Sequence, residues 1–468
     1  MNVIETHISR ILLDGELALK QKKPVVLPFV DYGTRVRRAH CCAEEVRLNR
    51  RFAPELYLGV VALEDGEPAV KMRRFDENDR LDHVCARGEL QPVQLVALAG
   101  RLQDFFTTAA AATPEKRFGA PEWVWSPVEE NFVELAALLP EHGPRLAALR
   151  QWSAGEFARL QPVFAARKAA GRVREGHGDL HLANLVLLDG AIVPFDGIEF
   201  NDDLRWNDVA SEIAFLWMDL IDHGRPDLAG GFLDAWLSAS GDYEALTVLG
   251  FYAVYRALVR AKVAALSGRP ASDYLALAET LATPPTPALL LTHGLSGSGK
   301  STASAALLWR QRSGRLIRLR SDVERKRLFG LVPLARSDGS IYTPEATAAT
   351  YGRLRTLAGE ALAAGFSVIV DAAFLRRAER SDFRALAATR GLRCVILACE
   401  APVDELRRRL RQRQNDASEA TVEVLEQQLG WMEPLTDDER ALVDEKWEEA
   451  EANRERNTAR SDRARSTG

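Results

Sequence analysis

The sequence predicts two domains of different fold class, an α+β domain followed by an α/β domain with a parallel sheet. Three observations lead to this prediction. The chain has 468 residues, more than one hydrophobic core usually organises. Strand-like segments fill the first part of the chain and give way to a long helical stretch. After a proline cluster at 283–287, apolar strands and helical segments alternate, which is typical of a parallel sheet.

The first domain is predicted at 1–282, with a β-rich lobe at about 1–78 and a helical lobe at about 79–282. In the β-rich lobe the turn Asp14-Gly15 separates two strand patterns. The predicted elements of this lobe are strands at 8–13, 16–20, 56–63 and 69–75 and a charged helix at 37–52. Apolar residues spaced three and four apart then predict helices within 91–170 and 208–281.

The second domain is predicted at 288–447, after a proline-rich linker at 283–287. Its predicted strands lie at 288–292, 316–319, 367–370 and 394–398. Glu, Arg, Asn and Ser dominate the segment 448–468, which has no apolar period and is predicted to be a disordered tail.

Composition excludes several classes of function. The net charge of −5 argues against broad binding to nucleic acid or anionic membranes, although it leaves room for a narrow basic cleft. Five cysteines without a CxxC pair predict neither a disulfide framework nor a zinc ribbon. No signal peptide and no apolar run of membrane-spanning length is visible, so we expect a cytoplasmic protein without membrane contact. Protein partners are not indicated.

The stretch HGDLHLANL at 177–185 raises two hypotheses. His177 and His181 could form a metal cluster, but Gly178 is a poor helix former and no third ligand stands at a fixed spacing, so zinc is disfavoured. The alternative is phosphoryl transfer. The kinase loop has the spacing H-x-D-x-x-x-x-N, which His177, Asp179 and Asn184 match. A short apolar strand then leads to Asp196, a second candidate ligand for Mg²⁺ beside Asn184.

A phosphotransferase of this kind needs a lysine on a strand and a glutamate on the following helix. Leu17-Ala18-Leu19-Lys20 supplies such a strand, with Lys22 on the same face as the alternative ATP ligand. Glu45 is the candidate partner for the lysine, with Glu44 beside it.

These residues resemble the aminoglycoside phosphotransferase and choline kinase group, and the resemblance covers roughly the first 280 residues. It implies a bilobal, protein-kinase-like fold, with Asp179 as catalytic base and with Asn184 and Asp196 as Mg²⁺ ligands. Two features depart from the pattern. No glycine-rich loop precedes Lys20, where His7-Ile8-Ser9 stands instead, and the order Phe195-Asp196-Gly197 replaces Asp-Phe-Gly. His177 and Asp208 are expected to brace the loop.

GLSGSGKS at 294–301 matches the phosphate-binding pattern G-x-x-x-x-G-K-[ST] in full, between an apolar strand and an Ala-rich helix. Backbone N–H groups of such a loop wrap the phosphates of ATP, and Lys300 reaches their terminal oxygens. Ser301 is expected to hold Mg²⁺. The predicted nucleotide-binding residues are Gly294, Gly297, Ser298, Gly299, Lys300, Ser301 and Thr302.

Beyond this loop, Asp322 and Arg325 follow a predicted strand and are the candidate acceptor-binding pair. Asp371 ends another strand and is a candidate metal ligand. Arg409 and Arg413, four apart in a basic segment, are candidates for a lid that clamps the transferred phosphate. This combination resembles the gluconokinase, adenylylsulfate kinase, zeta-toxin and polynucleotide kinase superfamily over about 288–445. The whole chain resembles bacterial fusions of an aminoglycoside phosphotransferase-like domain with an ATP-binding domain.

The sequence therefore predicts an ATP- and Mg²⁺-dependent phosphotransferase with two kinase-like domains. Each would transfer the γ-phosphate to a hydroxyl of a small metabolite such as a sugar, a polyol or an aminoglycoside-like molecule. Two alternatives stay open. One is a polynucleotide 5′-hydroxyl kinase with an accessory domain, and the other assigns one domain a regulatory nucleotide-binding role.

Overall fold

The computed structural model describes residues 2–27, 30–337, 339–413 and 416–444. The chain divides into two compact units. The first comprises Met1–Arg225 and Val248–Thr283, and the second comprises Pro226–Thr247 and Pro284–Gly468. The division at Thr283 falls within the predicted linker, whereas 226–247, expected in the first domain, groups with the second unit. The predicted tail at 448–468 lies outside the described residues.

The strands are β1 Asn2–Glu5, β2 Ser9–Asp14, β3 Leu17–Lys22, β4 Val26–Leu27, β5 Val30–Asp31, β6 Tyr57–Ala62, β7 Pro68–Arg73, β8 Val173–Glu175, β9 Leu185–Leu188, β10 Ala191–Pro194, β11 Trp206–Asp208, β12 Ala288–His293, β13 Leu316–Arg320, β14 Ser367–Asp371 and β15 Arg393–Ala398. The helices are α1 Arg35–Asn49, α2 Leu81–Ala86, α3 Pro92–Thr108, α4 Pro121–Leu138, α5 Gly143–Ala169, α6 Asp202–Arg205, α7 Val209–Asp222, α8 Pro226–Ser240, α9 Ala245–Leu266, α10 Ser272–Ala282, α11 Lys300–Leu308, α12 Ser321–Leu328, α13 Pro344–Ala363, α14 Arg377–Ala388, α15 Val403–Gln412, α16 Val422–Trp431 and α17 Asp437–Arg440. None of these helices is long and apolar enough to cross a membrane.

The first unit begins with a five-stranded antiparallel sheet in the order β1-β2-β3-β7-β6. The α1 helix packs on β6 and β7 and is capped by the Thr34 side chain, which accepts the Arg37 N–H. The four strands predicted for this lobe are all present. The sheet also includes β1, which sequence patterns did not predict because four residues at a chain end carry too short a period.

The rest of the first unit is mainly helical, and prolines set where several helices begin. Pro92, Pro121 and Pro144 occupy the first turns of α3, α4 and α5, where a missing N–H costs nothing. The antiparallel pair β9–β10 interrupts the helices, and its turn Asp189-Gly190 has positive φ at both residues, as a tight hairpin requires. A small β lobe followed by a helical lobe is the bilobal, kinase-like arrangement that the sequence predicts.

The second unit is built on a four-stranded parallel sheet in the order β13-β14-β12-β15. All four strands were predicted, because fully buried parallel strands read as short continuous apolar runs. Leu290, Ile369 and Val395 form part of the core between the sheet and its helices. The predicted α/β fold class is confirmed, and the carboxyl ends of the strands carry the loops described below.

The α8 segment is an integral part of the second unit. Its buried Asp234 carboxylate accepts the backbone N–H of Arg318 in β13. The Tyr243 hydroxyl, just beyond α8, donates to Glu324 of α12 over 3.4 Å. Gly231 lies so close to Trp309 that an added Cβ would meet the indole ring at 1.9 Å. A helical period in the sequence predicts such a helix but does not say which unit its apolar face joins.

The contact between Gly231 and Trp309 provides a test. We expect Gly231→Ala to lower the free energy of unfolding by about 1–3 kcal/mol, because the new methyl group overpacks the interface with the indole ring. Gly250→Ala, within α9, is the matched control, since nothing lies within 4 Å of its added Cβ. The control should stabilise the chain by about 0.5–1 kcal/mol through helix propensity. Denaturant unfolding of both variants measures the difference, and equal effects would contradict the packing described for α8.

Candidate functional sites

A cleft of about 1120 Å³ in the first unit contains four of the candidate site residues singled out from the sequence, Lys20, Lys22, Asp179 and Asp196. The turn between β1 and β2, with His7 and Ile8, lines the same cleft. His7, Ile8 and Ser9 thus line the cleft in the part of the chain before Lys20, where the sequence has no glycine-rich loop.

Lys20 and Lys22 both project from β3 but have different surroundings. Lys22 is buried, donates to Glu45 over 2.7 Å and to the Tyr32 hydroxyl over 3.3 Å, and contacts Glu199. Lys20 donates to the other oxygen of Glu45 over 2.9 Å and contacts Asp196, whose side chain is 43% exposed. Lys20 is thus the lysine that reaches the candidate metal ligand.

The two candidate glutamates of α1 differ in their contacts. Glu45 is fully buried between the two lysines, whereas Glu44 pairs with Arg47 at the surface. Burial alone would lower the pKa of Lys20 and raise the pKa of Glu45. The opposite charges outweigh burial at both groups, so the pKa of Lys20 is raised and that of Glu45 is lowered. Both groups are therefore charged at neutral pH.

The loop 177–185 holds Asp179 in a network of its own. Asn184 Nδ2 donates to Asp179 Oδ2 over 2.8 Å and to the Asp179 carbonyl over 3.0 Å. His181 Nε2 lies 3.4 Å from the same carboxylate. Burial works against ionisation of Asp179, but His181 and His177 outweigh it and hold the pKa of Asp179 well below its ordinary value. Asp179 is consequently an ionised carboxylate facing the cleft.

Both ring nitrogens of His177 lie beside backbone groups, so the contacts of this residue are structural. Its Nε2 lies 2.8 Å from the Phe195 carbonyl, and the Asp179 N–H donates to its Nδ1 over 3.3 Å. Burial lowers the pKa of His177 to about 4, so the ring is neutral at physiological pH. His177 thereby joins the loop that carries Asp179 to the segment that carries Asp196.

Sequence reasoning missed the residues that suspend this loop. Glu212 and Asp219, both in α7, accept the backbone N–H groups of Gly178 and Leu182 over 2.7 and 2.8 Å. From α9, Arg256 donates to the Gly178 carbonyl over 3.0 Å. The available signal was two carboxylates inside the otherwise apolar run VASEIAFLWMDL, since buried charges need a partner. Asp208 supports α7 itself, capping its first turn and pairing with the buried Arg167.

Asp196 has an unusual backbone. Its φ of 61° is left-handed, a conformation that costs a non-glycine residue about 1–3 kcal/mol. The Tyr57 hydroxyl accepts the Asp196 N–H over 2.9 Å, and Asn49 Oδ1 accepts the Gly197 N–H over 2.8 Å. These buried partners hold the turn that directs the Asp196 carboxylate into the cleft.

In the second unit the glycine loop follows β12 directly. An added Cβ at Gly294 would meet the Cys399 carbonyl at 2.2 Å, and Gly297 and Gly299 have positive φ values of 85° and 97°. Only glycine fits these three positions. Lys300 Nζ donates to the Gly294 and Leu295 carbonyls over 2.8 Å each, so the lysine lies folded along its own loop. Burial lowers the pKa of Lys300.

A cleft of about 920 Å³ surrounds this loop. Of the candidate site residues predicted for this unit, only Gly294 and Ser298 are absent from its lining. The ten that line it are Gly297, Gly299, Lys300, Ser301, Thr302, Asp322, Arg325, Asp371, Arg409 and Arg413. Ser298 is buried, and its hydroxyl has no hydrogen-bond partner among the described residues. Chain order alone did not place these residues together; the parallel sheet does, because its strand ends share one edge.

The acidic residues of this cleft lie at two strand ends. Asp371 ends β14, is buried and accepts the Ser304 hydroxyl over 3.1 Å. Asp322 lies in the first turn of α12, immediately after β13, and burial raises its pKa. Arg325, one turn further on, donates to the Ile341 carbonyl over 2.8 Å and lies over the Tyr342 ring.

The two candidate lid arginines differ in their surroundings. Arg409, in α15, donates to the Gly297 carbonyl over 3.2 Å and pairs with Glu405. Arg413 follows the last residue of α15, and one of its terminal nitrogens is buried without a hydrogen-bond partner among the described residues. Sequence reasoning did not identify Gln428 of α16, which accepts the Ser296 N–H over 2.8 Å and so steadies the glycine loop.

The difference between the two β3 lysines leads to a stability prediction. Lys22→Met should lower the free energy of unfolding by about 3–5 kcal/mol, because it leaves the buried Glu199 carboxylate without its cation. Lys20→Met should cost clearly less, since Glu45 keeps Lys22 and the half-exposed Asp196 regains water. Urea unfolding of both variants tests this, and equal losses of stability would show that Lys22 is not the structural lysine.

Glu212 leads to a pH prediction. Burial, only partly offset by Arg256, raises the pKa of Glu212 from 4.5 to about 7. The folded state therefore holds this proton more tightly than the unfolded state. The contribution of Glu212 to the free energy of unfolding is complete below about pH 4.5 and is lost as the pH rises through about 7. Relative to wild type, Glu212→Gln should gain up to about 3 kcal/mol between those limits. Unfolding curves across this range measure the gain, and a pH-independent difference would contradict it.

A family model described as an AAA domain matches residues 289–435, which agrees with the P-loop α/β fold class predicted for this part of the chain. Among solved structures, the GDP complex of aminoglycoside 2′-phosphotransferase-IIIa is 14% identical, covers 60% of this chain and 92% of its own, and has a TM-score of 0.38. Choline kinase of Cryptosporidium parvum is 12% identical, with coverage of 60% and 86% and a TM-score of 0.35. The APS kinase CysC of Mycobacterium tuberculosis is 26% identical, with coverage of 27% and 69% and a TM-score of 0.22.

Similar full-length proteins occur in mycobacteria. The uncharacterized protein Rv2004c of Mycobacterium tuberculosis is 32% identical over 449 residues, which span 91% of this chain and 88% of that protein. The uncharacterized protein Mb2027c of Mycobacterium bovis matches to the same extent. The similarity thus runs through both units, and the chain belongs to the same family as these mycobacterial proteins.

Proposed function

We propose that this protein is an ATP- and Mg²⁺-dependent phosphotransferase with two catalytic sites, each of which transfers the γ-phosphate to a hydroxyl of a small metabolite. One observation carries the proposal. In each unit a single cleft combines a lysine, the kind of residue that binds phosphate, with carboxylates suited to a metal and to an acceptor hydroxyl. Phosphoryl transfer needs little else from a protein beyond positioning and charge stabilisation.

In the first site Asp179 is the proposed base. Its low pKa keeps it ionised, and the Asn184 amide orients it. A carboxylate of this kind accepts the proton of the attacking hydroxyl as the phosphoryl group departs from ATP. Lys20 is the proposed phosphate ligand, rather than Lys22, because Lys22 is enclosed by Glu45, Glu199 and Tyr32.

The residues present suit Mg²⁺ in this site. Carboxylate and amide oxygens are the ligands that Mg²⁺ prefers. Asp196 offers a half-exposed carboxylate whose strained backbone directs it into the cleft, and Asn184 offers an amide oxygen beside Asp179. The ion would neutralise phosphate charge during transfer.

In the second site the glycine loop and Lys300 are the proposed phosphate cradle. Ser301 and Asp371 are the proposed Mg²⁺ residues, because one begins α11 and the other ends β14 in the same cleft. Asp322 is the proposed partner of the acceptor hydroxyl. Arg409 and Arg413 would stabilise charge on the transferred group, and the unpartnered nitrogen of Arg413 favours that role.

The lining of this second cleft suits two classes of acceptor, a small polyol and a polynucleotide. Beyond Asp322 the cleft is bordered by Tyr342, Tyr351 and Glu379. Arg325 donates to the Ile341 carbonyl and the Thr347 hydroxyl through one terminal nitrogen, and its Nε is buried without a hydrogen-bond partner among the described residues. Arg325, Arg409 and Arg413 share the cleft with Tyr342 and Tyr351, and a nucleic-acid groove likewise combines clustered cations with aromatic side chains. A polynucleotide 5′-hydroxyl is therefore the second candidate acceptor, beside a neutral or amine-bearing polyol, which the acidic Glu379 favours.

Two variants of the full chain test the proposal. Titration calorimetry with a non-hydrolysable ATP analogue and Mg²⁺ should count two sites in the wild type and one in Lys300→Ala, because the lysine neutralises phosphate charge. Asp179→Asn should keep both binding sites. On an acceptor whose phosphorylation survives Lys300→Ala, Asp179→Asn should lower turnover by about 10²- to 10⁴-fold.

The acceptor is found by screening ATP consumption with sugars, polyols, aminoglycosides and oligonucleotides. Arg355→Ala is the matched control for Lys300→Ala, since Arg355 is an exposed cation of α13 outside the cleft lining. A single binding site in the wild type would contradict the two-site proposal. Wild-type turnover in Asp179→Asn would show that another group is the base.

A further inference from the structure

The C-terminal end of α7 carries a cluster of metal-ligating side chains outside both clefts. Asp219, Asp222 and His223 lie at positions i, i+3 and i+4, on one face of the helix. One ligand atom of each residue lies within 4.8 Å of the others. This spacing is compact enough for three side chains to share one ion.

A buried oxygen aimed into the cluster lacks a partner. Asp219 is 1% exposed, and its Oδ2 accepts the Leu182 N–H, whereas its Oδ1 has no hydrogen-bond partner among the described residues. That oxygen lies 3.9 Å from His223 Nδ1. Buried carboxylate oxygens are ordinarily hydrogen-bonded or bound to a metal, so this unpartnered oxygen favours a bound cation.

The nearby guanidinium of Arg260 attracts both carboxylates through its charge, but it makes no hydrogen bond to Asp219 among the described residues. Its terminal nitrogens lie 3.4 Å from the His181 ring and from the Tyr274 hydroxyl, and its Nε has no hydrogen-bond partner among the described residues. Two carboxylates therefore face one cation at a helix C-terminus, where the partial negative charge of the backbone adds to the demand for positive charge.

The chemistry of the cluster indicates the class of ion. His223 Nδ1 lies 2.8 Å from the Asp219 carbonyl, and a ring held by that contact offers an ion its other nitrogen, Nε2. A set of two carboxylates and one imidazole suits Zn²⁺ or Mn²⁺ better than Mg²⁺, which prefers oxygen alone. Asp222 and His223 are partly exposed, so an ion can enter from solvent and complete its shell with water.

We propose that the end of α7 binds one divalent transition-metal ion through Asp219, Asp222 and His223. This ion is separate from the Mg²⁺ of the proposed catalytic site. Because the second oxygen of Asp219 holds the Leu182 N–H, the bound ion stiffens the loop that carries Asp179. The inference concerns binding and loop order, and it holds whether or not the first site transfers phosphate.

Zn²⁺ is the probe for the test. Full-length protein, stripped with a chelator, is dialysed against Zn²⁺ with excess Mg²⁺ and without nucleotide, and bound zinc is counted by mass spectrometry. We expect the wild type to retain one more Zn²⁺ per chain than Asp222→Asn and His223→Gln, whose affinity should fall at least about tenfold. His142→Gln is the matched control, because His142 also neighbours a carboxylate, Glu141, but lies outside the cluster.

Hydrogen exchange at the Leu182 amide provides the second measurement. Zn²⁺ should slow this exchange in the wild type and in His142→Gln but not in the two cluster variants. Equal zinc retention in all four proteins, or none in the wild type, overturns the site. Zinc retention without slower exchange at Leu182 overturns the link to the loop. Circular dichroism confirms that the variants, changed at partly exposed positions, are folded.

Discussion

The buried carboxylate of Glu45 is the contact on which the first site depends. It lies between Lys20 and Lys22 and so ties α1 to the central strand of the small sheet. Lys22 extends the same network to Glu199, three residues beyond Asp196. A buried charge without its counter-charge is costly, so these groups have one favourable arrangement rather than several. The position of Lys20 relative to Asp196 follows from that arrangement.

The same principle holds the backbone around both candidate sites. In the first unit, carboxylates from α7 accept N–H groups of the loop that carries Asp179. In the second unit, Arg380, which pairs with the fully buried Glu439, donates to the carbonyls of Phe374 and Pro434. Loops have few backbone partners of their own, and buried ionic side chains from packed helices provide them here. The positions of the candidate catalytic residues therefore depend on the packing of the helices that bind their loops.

Backbone strain accompanies this support. Asp196 and Phe374 both have left-handed φ values. Asp196 is itself a candidate metal ligand, and Phe374 lies between two residues that line the second cleft. In each case neighbouring groups bind the strained turn, through Tyr57 and Asn49 in the first unit and through His293 and Arg380 in the second. Strain of this kind persists only where the surroundings determine the conformation. It is a mark of sites that need a side chain in one direction.

The sequence by itself determined the fold class, all four strands of the parallel sheet and a set of candidate site residues in each of the two clefts. These depend on local signals, namely short apolar runs, fixed motif spacing and glycines, which adopt positive φ without strain. Tertiary structure alone decided that Lys20 rather than Lys22 reaches Asp196, because two residues on one strand face share every local property. It also decided that 226–247 joins the second unit and that α7 carries the support of the Asp179 loop. Those outcomes depend on which distant groups meet in the folded chain, and neither periodicity nor motif spacing records contacts between residues far apart in sequence.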